Sequence, residues 1–232
     1  MKIAIITGVS KGIGLALSLA FLEENWKVIG IGRSTTINHP NFEFKSCDLL
    51  DPKQIEALSF DLSGYNQCVL INNAGVLGTI KRISDQEIFE SASIFQVNVL
   101  APIRLMQKFA ILCSDIIPLT ILNISSGAGR RPIPSWANYC ATKAALDSFS
   151  QSFQQEEIEK RRKTRVFALA PGVVDTQMQT TIRKVSEQDF SSKQKFVDLY
   201  NDKQLITTDV IAQKIMAFLK SNEQQEVVCA LH

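Results

Sequence analysis

The 232-residue chain has few of the side chains from which metal centres and hydrolase triads are built. It contains only two histidines, His39 and His232, and its five cysteines are widely spaced with no CxxC pair. An odd, scattered set of cysteines favours free thiols in a reducing compartment over a disulfide framework or a zinc site. We therefore expect no bound metal, and a Ser-His-Asp triad would have to use one of these two histidines.

Strong charge and long apolar runs are missing as well. Twenty-five basic and 23 acidic side chains give a net charge of +2, too small to indicate nucleic acid or an anionic membrane as a partner. The apolar run 116–124 is broken by Pro118 and Asn123 and is far shorter than the ~20 residues of a membrane helix. Because Met1 is not followed by a signal-peptide core, we expect a cytoplasmic protein.

Short apolar runs alternate with longer segments of helical spacing, and no linker or repeat divides them. The predicted strands are 2–7, 27–31, 42–46, 68–72, 119–124, 165–170 and 226–231, and the predicted helices are 13–24, 52–59, 86–112, 138–163 and 208–220. Strands that are apolar on both faces form a parallel sheet covered by helices on each side. The pattern predicts one doubly wound α/β domain over 1–232. Ser84 followed by Glu87 predicts a capping box near the start of helix 86–112.

The first predicted strand ends in a glycine-rich turn, Thr7-Gly8-Val9-Ser10-Lys11-Gly12-Ile13-Gly14, and a helical pattern follows it. A dinucleotide pyrophosphate needs exposed backbone N–H groups at a helix N-terminus, where the helix dipole favours negative charge. Glycines let the chain turn sharply and approach the phosphates. A plain tight turn is the alternative, but the position between strand and helix favours a cofactor site. Its predicted members are Gly8, Ser10, Lys11, Gly12, Ile13 and Gly14.

Five further motifs follow the turn in the chain. They are Asn72-Asn73-Ala74-Gly75, Asn98, Ser126 placed thirteen residues before Tyr139, Tyr139-Cys-Ala-Thr-Lys143, and Pro171-Gly172 with Thr176. With the GxxxGxG spacing of the turn, this series resembles the short-chain dehydrogenase/reductase family. The resemblance implies a Rossmann fold, a nicotinamide cofactor and hydride transfer. It implies Ser126, Tyr139, Lys143 and Asn98 as catalytic residues, and further cofactor contacts at Asp48, Leu49, Asn73, Ala74, Gly75, Tyr139, Lys143, Pro171, Gly172, Val174 and Thr176.

The Tyr139–Lys143 pair suits proton transfer to a developing alkoxide. A free tyrosine has a pKa near 10, and an ammonium one helical turn away is expected to lower that pKa by favouring the phenolate. We therefore expect Tyr139 to be the general acid in reduction, while Ser126 holds the carbonyl oxygen. The resemblance adds that Lys143 binds the nicotinamide ribose and that Asn98 helps to keep a water relay to it. The alternative is that Tyr139 and Lys143 merely share a helix face.

Positive charge near the turn favours NADP(H) over NAD. An NAD site usually has an acidic residue at the end of the second strand, where this chain has Gly30-Ile31-Gly32-Arg33-Ser34. Arg33 could bind a 2′-phosphate through a planar, charge-assisted fork, and Lys11 supplies a second positive charge. The alternative is that both are ordinary surface cations.

Within the family, the stretches 123–129, 136–140 and 171–179 are similar to those of benzil and sepiapterin reductases. Those relatives reduce vicinal dicarbonyl groups, so the resemblance implies a small carbonyl substrate. Sepiapterin reductases hold the pterin with an acidic residue near the C-terminus. Because no Asp follows the last predicted strand here, an apolar α-diketone is the preferred substrate and sepiapterin the alternative.

Ser126, Trp136 and Met178 are the predicted substrate contacts, with Val174 and Phe190 beside them, although such apolar residues also fill ordinary cores. The substrate loop and helices are expected at about 173–205.

Two other classes stay open from the sequence. A non-catalytic NADPH-sensing protein could keep the Rossmann fold, although retention of the Ser126, Tyr139 and Lys143 set argues against it. A sugar-nucleotide epimerase would need a substrate domain, for which little chain follows Thr176. The family resemblance also implies a homo-oligomer, a dimer or a tetramer, formed through the long helices 86–112 and 138–163.

Overall fold

A computed structural model describes residues 1–87, 89–113, 117–221 and 225–231. Its sheet has seven parallel strands in the order β3-β2-β1-β4-β5-β6-β7. They are β1 (Lys2–Thr7), β2 (Lys27–Gly32), β3 (Phe42–Ser46), β4 (Gln67–Asn72), β5 (Leu119–Ile124), β6 (Thr164–Ala170) and β7 (Val228–Ala230). The strand order reverses between β1 and β4, so the carboxyl ends of these strands form the crevice in which doubly wound proteins bind ligands.

Eight α-helices are described around the sheet. They are α1 (Gly12–Glu23), α2 (Pro52–Ala57), α3 (Glu90–Phe95), α4 (Ala101–Cys113), α5 (Ala137–Glu159), α6 (Gln177–Lys184), α7 (Lys193–Asn201) and α8 (Thr208–Lys220). Short 3₁₀ turns span Ile83–Asp85 and Gly127–Gly129, and a π-helical segment spans Gln96–Leu100. No helix within these described ranges is long and apolar enough to span a membrane.

The strands are apolar on both faces because each face packs against helices. Ala4 and Ile6 of β1 belong to a core shared with α1 and α8, whereas Ile3 and Ile5 belong to a second core shared with α2, α4 and α5. Burial of apolar surface contributes about 25 cal/mol per Å², so both cores stabilise the sheet. The predicted doubly wound α/β fold is confirmed.

The predicted helix 86–112 is interrupted in the structure. It is divided into α3, the π-helical segment and α4, and Pro102 in the first turn of α4 has no N–H to continue the upstream ladder. The predicted capping box is also wrong, because Ser84 lies in a 3₁₀ turn where its hydroxyl donates to Asp85 Oδ1. The apolar pattern of residues 86–112 correctly indicated helical structure, but it did not show where the helix is interrupted.

Candidate active site

The glycine turn has the backbone geometry of a phosphate cradle. Gly8 and Gly12 adopt φ values of 75° and 61°, which side chains with a Cβ rarely adopt. Outside its own helix and its chain neighbours, a Cβ on Gly12 would have one described atom within 4 Å, Thr176 Cγ2 at 3.6 Å, so this side of the turn is open. Lys11 is the N-cap residue of α1 and does not cap the helix with its side chain, because an ammonium has no acceptor for the backbone N–H groups. The first N–H groups of α1 are thus suited to an anion, and the residues present fit a dinucleotide.

Hydrogen bonds join this turn to the loop that follows β4. Thr7 Oγ1 accepts from the backbone N–H groups of Asn73 and Ala74, both at 3.0 Å. Asn73 Nδ2 in turn donates to Thr7 O at 2.8 Å and to Gly8 O at 3.2 Å. Asn73 therefore fixes the glycine turn to the loop after β4. The two loops form one surface where the strand order reverses between β1 and β4.

Asn98 occupies the π-helical segment, a distortion often found at functional sites. Its side chain is buried, accepts from Val76 N at 2.8 Å and donates to Val76 O at 2.8 Å. It also donates to Thr142 Oγ1 at 3.1 Å. A Cβ on Gly75 would lie 3.4 Å from Asn98 Oδ1 and 3.6 Å from Lys143 Nζ, so both groups converge on Gly75. The amide thus braces the loop beside Lys143.

Ser126, Tyr139 and Lys143 meet where β5 ends and α5 begins. Ser126 follows β5, and its hydroxyl accepts from Ala128 N at 3.2 Å to start a 3₁₀ turn. Lys143 Nζ donates to Ile124 O at 2.8 Å and lies 5.6 Å from the centre of the Tyr139 ring. The structure therefore brings the three residues of the predicted catalytic set together.

Burial controls the proton affinities of the pair. Burial raises the pKa of Tyr139 to about 12, although a hydrogen bond with Ser126 lowers it. Burial lowers the pKa of Lys143 to about 8, while the charge of Asp147 raises it. The expected lowering of the tyrosine pKa is therefore not found in this structure: the net shift is upward, because burial disfavours the charged phenolate.

One cleft of about 1610 Å³ runs across the carboxyl ends of the strands. A pocket for one drug-sized ligand is about 300–1,000 Å³, so the cleft has room for a dinucleotide and a second molecule. The predicted site residues that line it are Gly8, Ser10, Lys11, Gly12, Ile13, Arg33, Asp48, Leu49, Asn73, Ala74, Gly75, Ser126, Trp136, Tyr139, Lys143, Pro171, Gly172, Val174, Thr176 and Met178. Gly14 and Asn98 do not line the cleft. Gly14 packs against Asn73 and Gly8, and Asn98 bonds to the backbone of Val76.

Aromatic rings form the end of the cleft next to Tyr139. Trp136 stacks on Phe190 with ring centres 5.2 Å apart and lies edge-on to Tyr139 at 5.8 Å. Phe196 packs against the same indole at 5.4 Å and lines the cleft. Phe190 is fully buried behind Trp136 and does not line the cleft, contrary to expectation. Phe196 was missed because it reaches the site from α7, with no local motif to mark it.

Comparison with known proteins identifies the class. A sequence model of the short chain dehydrogenases matches residues 2–187. The chain belongs to the short-chain dehydrogenase/reductase family, and is an oxidoreductase of a family that uses nicotinamide cofactors.

Individual relatives match over nearly the whole chain. The chain is similar to benzil reductases ((S)-benzoin forming) of Bacillus subtilis (strain 168) and Bacillus cereus. Each is 34% identical, over 97% of this chain and 96% of the relative in the first case and 98% of both in the second. Its fold is also similar to that of an alcohol dehydrogenase from the archaeon Thermococcus sibiricus complexed with 5-hydroxy-NADP. That likeness has a TM-score of 0.79 and 25% identity, covering 100% of this chain and 96% of the other.

Proposed function

We propose that this chain is an NADPH-dependent carbonyl reductase that reduces a small apolar ketone, an α-diketone of the benzil type. The observation that carries the proposal is the meeting of Ser126, Tyr139 and Lys143 in a cleft that also contains the glycine turn. A cofactor cradle and a proton donor in one cleft are what carbonyl reduction requires. The two benzil reductase relatives support the choice of substrate.

The preference for NADPH is argued from charge at the open end of the cleft. Lys11 and Arg33 both line that end, and both are exposed. β2 ends in glycine, so no carboxylate precedes Arg33 to repel a 2′-phosphate. The guanidinium and the ammonium would bind that phosphate, and Asp48 and Leu49, which line the same cleft, would face the adenine.

The remaining cofactor contacts follow from the lining of the cleft. The N–H groups of the glycine turn would hold the pyrophosphate, and Lys143 would bind the nicotinamide ribose. Pro171, Gly172, Val174 and Thr176 would cover the nicotinamide from the loop after β6. When bound there, NADPH supplies the hydride for the carbonyl carbon.

The chain's own residues supply the proton and hold the oxygen. Ser126 donates a hydrogen bond to the carbonyl oxygen, where negative charge develops. With its pKa raised to about 12, Tyr139 carries its proton at neutral pH and donates it to that oxygen. Charged Lys143 lies close enough to favour the phenolate that this transfer leaves.

The substrate wall favours flat, apolar molecules. Trp136, Met178 and Phe196 line the cleft beside Tyr139, and α6 and α7 of the segment 173–205 supply the last two. Aromatic faces pack well against aryl groups, adding about 0.5–1.5 kcal/mol beyond area burial. An aryl α-diketone fits this wall better than a hydrophilic pterin does.

The test is a steady-state screen of NADPH oxidation against benzil, aliphatic diketones, quinones, aldehydes and sepiapterin. We expect the highest kcat/KM with benzil-like diketones. Sepiapterin as the best substrate would replace the diketone assignment with pterin reduction. Tight NADPH binding without turnover of any carbonyl would instead indicate a cofactor sensor and overturn the proposal.

A further inference from the structure

Helix α5 carries a third ionisable group, one turn beyond Lys143 on the face that also bears Tyr139. Asp147 follows Lys143 by one helical turn and lies on the same face. Its side chain is only 10% exposed, and a buried carboxylate is costly unless other groups compensate its charge. The contacts of this carboxylate therefore show what it does in the fold.

Asp147 and Lys143 hold two consecutive residues at the end of β5. Ser125 Oγ donates to Asp147 Oδ1, and Lys143 Nζ donates to Ile124 O at 2.8 Å. The next residue is Ser126, which the proposed mechanism places on the substrate oxygen. Two bonds from adjacent turns of α5 thus set the position of Ser126 relative to Tyr139.

A second contact leads from Asp147 to the last strand. Arg130 Nε lies 3.7 Å from Asp147 Oδ2, and Arg130 Nη2 donates to Cys229 O of β7 at 2.6 Å. The loop between Ser126 and Arg130 fits closely onto α5, since a Cβ on Gly129 would lie 2.9 Å from Lys143 C and 3.1 Å from Asp147 Oδ2. The guanidinium therefore connects β7 with the turn of α5 that carries Asp147.

We propose that Asp147 is a positioning residue of the active site, which holds Ser126 and Lys143 in register and links them through Arg130 to β7. The proposal rests on the proposed function, because it assigns the Ser126 hydroxyl and the Lys143 ammonium to the reduction. Asp147 itself does not line the cleft, so it acts through these neighbours.

The charge of Asp147 has a measurable consequence at Lys143. The polar and titratable groups around the carboxylate are Lys143 on its own helix, Ser125 after β5, Arg130 in the loop and Cys229 on β7. Because Asp147 raises the pKa of Lys143 against the effect of burial, removal of its charge should leave Lys143 with a lower pKa. The ammonium would then be lost at lower pH.

The experiment compares Asp147→Asn, Asp147→Glu and a matched control, Glu157→Gln. Glu157 is a fully buried carboxylate on the same helix, and it accepts from Thr164 Oγ1 at 2.8 Å, away from the cleft. Two readouts are measured: the pH profile of kcat/KM with NADPH and benzil, and an NMR titration of the Lys143 side chain in ¹³C-lysine-labelled protein. The Lys143 signal is assigned by its loss in Lys143→Arg.

For Asp147→Asn we expect kcat to fall about 10-fold or more, because small misplacements of reacting groups are costly. We expect the Lys143 pKa and the alkaline limb of the profile to move down by about one pH unit. Asp147→Glu should restore the limb, and Glu157→Gln should leave kcat and the limb unchanged. An Asp147→Asn profile and Lys143 titration equal to those of Glu157→Gln would overturn the inference. A wild-type protein that reduces no carbonyl would overturn the proposed function, while the NMR titration still decides the charge coupling.

Discussion

Gly14 and Asn73 pack so closely that no methyl group fits between them. A Cβ on Gly14 would lie 2.4 Å from Asn73 Nδ2 and 2.3 Å from Gly8 O. Because Asn73 also bonds to Thr7 and Gly8, any displacement at Gly14 reaches the whole phosphate cradle. This contact is how Gly14, which does not line the cleft, supports the shape of the glycine turn.

Gly14→Ala should therefore both lower the thermal midpoint and weaken NADPH binding. Overpacking of this kind costs about 1–3 kcal/mol, and a displaced turn no longer aims its N–H groups at the pyrophosphate. The measurement is the NADPH Kd by fluorescence titration, with the melting temperature of the same samples. Gly64→Ala is the control, because Gly64 also has a positive φ, of 79°, and among the described residues beyond its chain neighbours no atom would lie within 4 Å of an added Cβ. It should lose some stability yet bind NADPH normally. Unchanged binding by Gly14→Ala would contradict the role of this contact.

Removal of the Tyr139 hydroxyl tests the proton donor directly. Tyr139→Phe should lose roughly 10²–10⁴-fold in kcat, the usual contribution of general acid catalysis. Its NADPH Kd should change little, since the phenol lies at the substrate end of the cleft. Stopped-flow or steady-state NADPH oxidation provides the rate, and titration provides the Kd. Near-normal turnover would remove Tyr139 from its assigned role.

Reversal of charge at Arg33 tests the cofactor preference. Arg33→Asp should lower the ratio of kcat/KM for NADPH to that for NADH by about 10- to 100-fold, because hydrogen bonds to charged groups contribute about 1.5–3 kcal/mol. Arg82→Asp makes the same change at an exposed position outside the cleft and should leave the ratio unaltered. If the wild-type protein uses NADH and NADPH equally well, Arg33 does not select the cofactor.

The aromatic wall should select among diketones by their substituents. Phe196→Ala should raise KM for benzil about 10-fold, because an aromatic contact is lost, but should change KM for 2,3-butanedione much less. Phe149→Ala truncates a partly buried phenylalanine that packs against the core shared with α2, α4 and α5 and does not line the cleft, and it is the matched control. Equal losses with both diketones would place the aryl groups elsewhere.

Sequence alone predicted the elements whose signals are local. Strands that are apolar on both faces, the glycine turn after β1 and the Tyr139–Lys143 spacing each lie within a few consecutive residues, so the fold and the part of the cleft lining that carries these motifs followed. The π-helical segment around Asn98 did not follow, because the Asn98 side chain bonds to Val76 and Thr142, which are distant in the sequence. Phe196 was not predicted either, because its contact with Trp136 joins two parts of the chain that are distant in sequence.

Proton affinities could not be predicted from spacing because they depend on burial. The sequence places an ammonium beside a phenol and so suggests a lowered tyrosine pKa, whereas burial of both groups raises the pKa of Tyr139 and lowers that of Lys143. The role proposed for Asp147 could not be predicted from the sequence either. Its importance comes from its contacts with Ser125 and Arg130, which no motif marks.

These proton affinities give the reduction a defined pH dependence. The phenol, with a pKa of about 12, keeps its proton throughout the working range, whereas Lys143, with a pKa of about 8, loses its charge as the pH rises. Reductive kcat/KM, which reports the free enzyme, should therefore be level below about pH 7 and fall about tenfold per unit well above pH 8. The assay is NADPH oxidation with benzil in constant-ionic-strength buffers from pH 6 to 10. Lys143→Arg, whose guanidinium stays charged, should show lower activity with no such limb. A wild-type profile that stays flat to pH 10 would mean that the charge of Lys143 is not needed for reduction.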